Sequence, residues 1–583
     1  MRRRRWLPAA VAVLGLALAL PAAASAHAYL VKTVPAASGV LDSPPSQVAL
    51  TYDEAVEPRF AITSVTDASG TQRTAGAVRR SAANPDTLIV PLQRGLREGW
   101  FLVYWRAISV DGHPVQGAFT FAIGPNPGPA PQFPIPHVSA TAVTAQLLVA
   151  RWVMFISAMA AIGLFVLRML IARPTIRRTP GATLRALTVS FVAASIVGLI
   201  AIPVYLDFAI ANDSLRSVFD LGALVPLYRV TAFGRGYVDM ELCFALFCVA
   251  GWIALWLDRP EREQRSFAEL FATTGALTAA VAVLVIPGAV GHAGQTSPRG
   301  LALLFDFVHL VAGSIWLGGL IGLLVLWLSL TEHKPAGAPS RVEVLRVVVP
   351  RFSNVAFVSV LVLLGTGIGA TIIHMPAVNA LWKTGYGVAI LVKIGLLAGA
   401  VALASGNLLR SKPGLMAEHE QVERGEGAAR LLRRLASGEV AIVAGAAFAA
   451  ALLSSLAPPP PSFALQNSAL AKVGPGRVAH TVLHGAYQLQ VLVSPNKAAA
   501  PDDFALRITK GGQPVRGATV TLAFNHLEMQ MPQQEYQLRE TSPGVYARSA
   551  PALVMVGKWG LSFQITPPGQ PPFTALIVDQ ANG

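Results

Sequence analysis

Apolar and polar positions divide the chain into three stretches with different periods. Through residues 27–124 they alternate in short runs, as in Val48-Ala49-Leu50-Thr51-Tyr52 and Trp100-Phe101-Leu102-Val103-Tyr104-Trp105, punctuated by Gly, Pro and Asp. A two-residue period predicts half-buried strands, and strands this short predict a small β-sandwich. From about 140 to 457 the alternation gives way to long apolar stretches, roughly 140–172, 184–210, 237–257, 267–291, 300–330, 349–374, 385–409 and 438–457. Each is long enough for a helix to cross a hydrocarbon layer of about 30 Å, so eight transmembrane helices are expected. After Pro458 to Pro461 the strand period returns, in Tyr487-Gln488-Leu489-Gln490-Val491-Leu492-Val493 and Trp559-Gly560-Leu561-Ser562-Phe563. The expected fold class is therefore mixed and multidomain: an N-terminal β-sandwich of cupredoxin or immunoglobulin type, an eight-helix transmembrane α bundle and a C-terminal β-sandwich over 476–583.

The joints between these stretches have their own chemistry. Residues 1–26 read as a secretory signal, with Arg2 to Arg5 as the charged region, Pro8 to Leu20 as the apolar region and Ala24-Ser25-Ala26 as the cleavage box. Cleavage there makes His27 the first mature residue. Prolines at 125, 127, 129, 131, 134 and 136 stiffen a spacer over 125–139, and residues 458–475 form a second linker. Composition agrees with a membrane protein: 53% of residues are hydrophobic and only 13% charged. The net charge of +15 does not point to nucleic acid, because Lys and Arg fall in short clusters between apolar runs. The loops after spans one, three, five and seven and their immediate flanks carry roughly three times as many Lys and Arg as those after spans two, four and six. The positive-inside rule then puts both β domains on the periplasmic or extracellular side of a cytoplasmic membrane. Cys243 and Cys248 lie within an apolar stretch, where packing is their expected role.

A histidine at a mature N-terminus offers a metal its α-amine and its ring Nδ1, a nitrogen pair suited to Cu(II). Asp111-Gly112-His113 supplies further donors, since residues two apart in an extended segment share a face. His27, Asp111 and His113 together make a square plane of three nitrogens and one oxygen. The segments His27-Ala28-Tyr29-Leu30, Pro35-Ala36, Tyr52 to Pro58 and Ser109 to Gly117 resemble the CopC copper-binding family over about 100 residues. The resemblance implies Cu(II) on those three residues. Some members add a methionine-rich Cu(I) site, but no Met falls between His27 and Gly124. Glu54 is equally a partner of this site or a solvated strand-end carboxylate.

Ionisable residues in lipid are costly, about 2.5–3.5 kcal/mol each for the charged ones, so each suggests a function. His292, Asp306, His309 and His374 fall near one depth, and Asp306 and His309 share a helix face. His292 and His374 are equally explained as interfacial residues bonded to loop carbonyls. Lys393 is expected to snorkel, with neutralisation of a buried carboxylate as the alternative, and Met154, Met159 and Met240 are expected to pack or face lipid, with a Cu(I) relay as the sharper alternative. Gly291-His292-Ala293, Asp306 to His309, Trp316-Leu317-Gly318-Gly319, Arg351-Phe352-Ser353 and Trp382 to Gly387 with Lys393 resemble the CopD copper-resistance family. That resemblance implies copper passage through the membrane; the placement of His292, Asp306, His309 and His374 makes them the candidate relay.

In the C-terminal stretch His526, Met529 and Met531 offer soft donors for Cu(I), against ordinary core packing. Gly517-Ala518-Thr519-Val520, Met529 to Pro532, Gly544-Val545-Tyr546 and Gly557-Lys558-Trp559 loosely resemble the YtkA-like family. No Walker A sequence or Asp-Lys-Thr-Gly-Thr motif occurs, so the expected role is copper capture and potential-driven import rather than an enzymatic one. Expected partners are copper ions, the lipid bilayer and a periplasmic or cytoplasmic copper chaperone. Two rival readings are a haem-containing electron-transfer or copper-reducing protein and a copper monooxygenase built on the N-terminal histidine. Adding one residue before His27 is expected to weaken Cu(II) binding and leave the fold intact, checked by calorimetry of the two proteins; equal affinity would remove the α-amine from the ligand set.

Overall fold

In the N-terminal domain the alternation resolves into two facing sheets. One runs β1 (Leu30–Val34), β3 (Gln47–Tyr52), β6 (Thr87–Pro91), β5 (Arg79–Arg80); the other runs β2 (Val40–Leu41), β8 (Pro114–Ile123), β7 (Gly99–Ile108), β4 (Ile62–Asp67). Val48, Leu50 and Tyr52 of β3 meet Phe101, Val103 and Trp105 of β7 in the buried core, as a period of two requires. Tyr52 meets Trp105 edge to face with ring centroids 5.6 Å apart, and Phe101 stacks on Phe121 at 5.3 Å. The structure is a computed structural model that describes residues 30–36, 39–52, 56, 58–108, 114–125, 144–179, 181–329, 340–416, 422–456, 458–459, 461–498, 500–527, 534–554 and 556–582.

Among the described residues the central stretch forms eight helices long and apolar enough to cross a membrane: α1 (Ala145–Ile171), α2 (Arg185–Ser214), α3 (Ala232–Leu257), α4 (Phe267–Val290), α5 (Arg299–Ser329), α6 (Arg341–His374), α7 (Gly385–Leu415) and α8 (Gly425–Leu453). The number agrees with the sequence expectation; several ends do not. Helix α6 starts eight residues before its apolar stretch because Ser340 and Glu343 close a reciprocal capping box. Hydropathy marks what dissolves in lipid, whereas caps decide where a helix starts. Leu246, Phe271, Leu361 and Ile394 point outward and stay exposed, as lipid-facing side chains do.

Helices α1 and α5 cross where Gly163 faces Gly318. A Cβ at Gly163 would strike the Ser314 carbonyl, and one at Gly318 would strike the Gly163 backbone. Small residues permit this approach, which is how helices gain packing energy in lipid. At the α1 exit Asp258 accepts from Arg168 at 2.7 Å and from Arg173 at 2.9 Å. Burial disfavours its charge, but the two guanidiniums prevail and hold the carboxyl below its usual range.

The C-terminal domain is built from β9 (Ala471–Val473), β10 (Val478–His484), β11 (Tyr487–Ser494), β12 (Asp502–Lys510), β13 (Gln513–Pro514), β14 (Thr519–His526), β15 (Gln534–Ser542), β16 (Val545–Ala550), β17 (Gly557–Thr566) and β18 (Phe573–Ala581). The strands pair in the order β10-β11-β12-β16-β15-β14-β17-β18-β9, with β13 beside β12. The path folds over a core that includes Leu489, Phe504, Phe524, Trp559 and Phe563. Its recognisable motif residues hold the fold. Gly517 and Gly544, at φ 66° and 71°, each donate a backbone N–H at 2.9 Å to one oxygen of Glu540. Those two amides lower the Glu540 carboxyl below its usual range. The Tyr546 hydroxyl donates to Val515 O at 2.8 Å and accepts from Ala518 N at 2.9 Å.

Gly318→Leu is expected to wedge α1 from α5 and lower the detergent melting temperature of the purified protein by several degrees. Gly275→Leu, where a Cβ meets nothing within 4 Å, serves as the control. Equal melting temperatures for the two variants would contradict the close crossing.

Candidate functional site

His27, Asp111 and His113 lie outside the described residues, as do Met529 and Met531; the segments that deliver the first three are described. β1 begins three residues after His27, at Leu30, which pairs with Tyr52. Tyr52 touches Trp105, and three residues beyond Trp105 the β7–β8 hairpin reaches its last pair, Ile108 with Pro114, on either side of residues 109–113. The ring contact therefore ties the start of β1 to the hairpin that carries Asp111 and His113. Gly117 is required by the same contact: a Cβ there would lie 2.7 Å from Trp105 Cζ2.

Within the bundle, Asp306 and His309 sit one turn apart on α5. The Asp306 carboxylate occupies the space over Gly288 of α4, where a Cβ would collide with Oδ2. It interacts electrostatically with Lys393 and Tyr386 of α7 and with Tyr237 of α3. Lys393, expected to snorkel, instead contributes its charge to this layer and also acts on His309. Four helices thus converge on one carboxylate.

The hydrogen bonds around His309 assign its tautomer. Thr366 Oγ1 on α6 spends its proton on Val362 O at 2.7 Å, so at its 2.9 Å contact with His309 Nδ1 the imidazole must donate. The proton on Nδ1 leaves a lone pair on Nε2, which has no hydrogen-bond partner among the described residues. His374 is placed differently. Its Nδ1 donates to Ala370 O at 2.8 Å, and Nε2 accepts from Thr296 Oγ1 at 3.2 Å. Its ring also stacks on Tyr386 at 6.4 Å. His292 opens a short helical turn, His292–Gln295, after α4, and its side chain lies outside the described set.

Sequence reasoning missed Arg151 of α1. Its Nε donates to Tyr205 OH at 3.0 Å and its NH1 to Ser454 Oγ at 3.1 Å and to Ser455 Oγ. Tyr205 packs on Tyr237 at 5.0 Å, and Tyr237 faces Asp306 electrostatically, so polar groups continue from Arg151 to the carboxylate. An arginine about eleven residues into the apolar stretch 140–172 was the available signal. Met154 and Met240 are buried packing residues, and Met159 Cε packs over Gly313. In the C-terminal domain His526 is buried edge-on against Trp559 at 4.9 Å, and its Nε2 donates to Val556 O at 3.4 Å. Among the described residues no group of three or more His, Cys, Asp and Glu is gathered as a ready-made metal cluster.

Comparison with known proteins follows this layout. Family models match in order: the CopC domain over residues 30–124, copper resistance protein D over 346–453 and a YtkA-like domain over 483–564. The copper transport protein CutJ of Bacillus subtilis is 26% identical over 564 residues, covering 96% of each chain. Protein YobA of Escherichia coli is 33% identical over 119 residues, which is 95% of that protein and 20% of this one. The crystal structure of CopC from Methylosinus trichosporium OB3b is 28% identical and covers 18% of this chain and 98% of that one, with a TM-score of 0.16. Fold and relatives define the class as a multi-pass membrane protein that handles copper. The chain belongs to the CopC/CopD copper-resistance family, as a fusion that carries a YtkA-like domain at its C-terminal end.

Gly288→Ala is expected to destabilise the purified protein by about 1–3 kcal/mol through its clash with Asp306, and to cost clearly less in an Asp306→Ala background. A double-mutant cycle of thermal unfolding in detergent checks this; additive effects would separate the two residues.

Proposed function

We propose that the protein captures Cu(II) on the exported face with His27, Asp111 and His113 and passes copper inward through the membrane by way of Asp306 and His309. The observation that carries this reading is the His309 imidazole, whose Nε2 lone pair is left open one turn from a carboxylate within an apolar helix. Copper is the cargo, and an imidazole nitrogen beside a carboxylate oxygen is a donor pair that binds it and can release it. Lys393 places a positive charge in the same layer, which disfavours indefinite retention of a cation there. No ATP-binding motif is present in the sequence, and a membrane potential supplies about 2.3 kcal/mol per charge per 100 mV in favour of an entering cation. Import is therefore the direction proposed. The N- and C-terminal domains then face the exported side, with a periplasmic or cytoplasmic copper chaperone as donor or acceptor. His292 is a further candidate beside this layer, whereas His374, with both ring nitrogens engaged, offers copper no open donor, and His526 with Met529 and Met531 are a further Cu(I) candidate.

The haem alternative needs two open imidazoles on facing helices. Both ring nitrogens of His374 are engaged, by Ala370 O and by Thr296, so it does not offer an axial ligand as it stands. The monooxygenase alternative needs an open coordination position, which a plane completed by Asp111 removes.

Whole-cell copper accumulation tests the proposal. His113→Ala is expected to lower uptake at low external copper, and His309→Ala to lower it at every concentration. Accumulation equal to the parent in both variants would refute capture and relay together, and a Soret band in the purified protein would favour the haem reading.

A further inference from the structure

A second cluster of buried polar groups lies in the C-terminal domain, far in chemistry from any copper site. Asn496, in the loop between β11 and β12, adopts φ 66°, and Asp502 starts β12; Asp579 lies on β18. All three side chains have no accessible surface. Asp502 Oδ1 accepts the backbone N–H of Asn496 at 2.7 Å and of Lys497 at 3.0 Å. Asn496 Nδ2 donates to Asp579 Oδ1 at 3.0 Å and to Gly476 O at 2.9 Å. These donors fix the amide orientation, so its oxygen is the remaining atom.

One oxygen of each side chain is left over. Asn496 Oδ1, Asp502 Oδ2 and Asp579 Oδ2 are buried and without a hydrogen-bond partner in the structure. Unpaired buried polar oxygens are rare in native proteins, and three within one cluster call for a positive partner. No ion pair to Asp502 or Asp579 occurs among those of the described residues. Asp579 and the exposed Asp503 both act on Asp502 with like charge. Burial first, and then those neighbours, push the Asp502 carboxyl up to about 7, and burial pushes Asp579 up to about 6. Oxygen donors alone suit hard cations and not copper, and two carboxylates call for a charge of two.

We propose that Asn496, Asp502 and Asp579 form a structural site for a hard divalent cation of the calcium type, which ties the β11–β12 loop to the C-terminal strand. The site acts on the stability of this domain and does not depend on the copper reading.

The test is calorimetry of the full-length protein in detergent, stripped with a chelator and titrated with calcium chloride. The expected result is one calcium per chain and a melting transition that calcium moves to higher temperature. Asp502→Asn with Asp579→Asn should weaken binding on the order of tenfold or more. These substitutions keep shape and remove charge; if they prevent folding, a calcium-dependent rise in the parent's melting temperature decides the matter. No calcium bound at millimolar concentration, or binding that the paired substitutions leave unchanged, would overturn the site and leave a carboxyl pair that holds protons only.

Discussion

A carboxylate inside hydrocarbon has no water to solvate it, and the arrangement of the bundle follows from compensating that one group. Asp306 is surrounded by what the constraint demands: a glycine at 288 that leaves room, tyrosines at 237 and 386, and the positive charge of Lys393. The same constraint applies to Arg151, which is supplied with two serine hydroxyls and a tyrosine. Unsatisfied polar groups at this depth cost several kcal/mol each, at roughly that scale, so they persist only where neighbouring helices answer them. The helices that meet at Asp306 are accordingly the ones whose glycines or polar side chains allow it, and the close α1–α5 crossing at Gly163 and Gly318 steadies α5, which carries both Asp306 and His309.

The two β domains answer a different problem. In the N-terminal sandwich, aromatic contact between Tyr52 and Trp105 joins the start of one sheet to the hairpin of the other, so segments far apart in sequence are held together by packed strands. In the C-terminal sandwich the residues that make the sequence recognisable, Gly517, Gly544 and Tyr546, are occupied with holding turns around Glu540. Each of these residues is occupied by backbone geometry in this domain.

What was legible in the sequence depended on whether the signal was local. Eight apolar stretches and two runs of alternating strands could be read directly, because length and period are properties of contiguous residues. Asp306 and His309 could be read for the same reason, being three apart in an apolar helix. Thr366, which sets the His309 tautomer, lies on another helix and is an ordinary residue in an apolar run. Gly288 is equally silent until Asp306 is placed against it, and for Lys393 the sequence leaves both snorkelling and the neutralisation of a carboxylate open, of which the structure favours the second. Asn496, Asp502 and Asp579 are scattered over 83 positions and meet only because β12 and β18 close the sandwich. Near His27, Asp111 and His113 the described residues are the strands that flank them, β1, β7 and β8.

The central claim is that the Asp306–His309 layer conducts copper. It is tested most directly by purified protein in liposomes that contain a copper-sensitive dye, with an imposed potential negative inside. The account predicts dye quenching that rises with the potential and falls to the protein-free rate in His309→Ala, while Gly275→Ala matches the parent. Quenching that is independent of both the potential and His309 would contradict it.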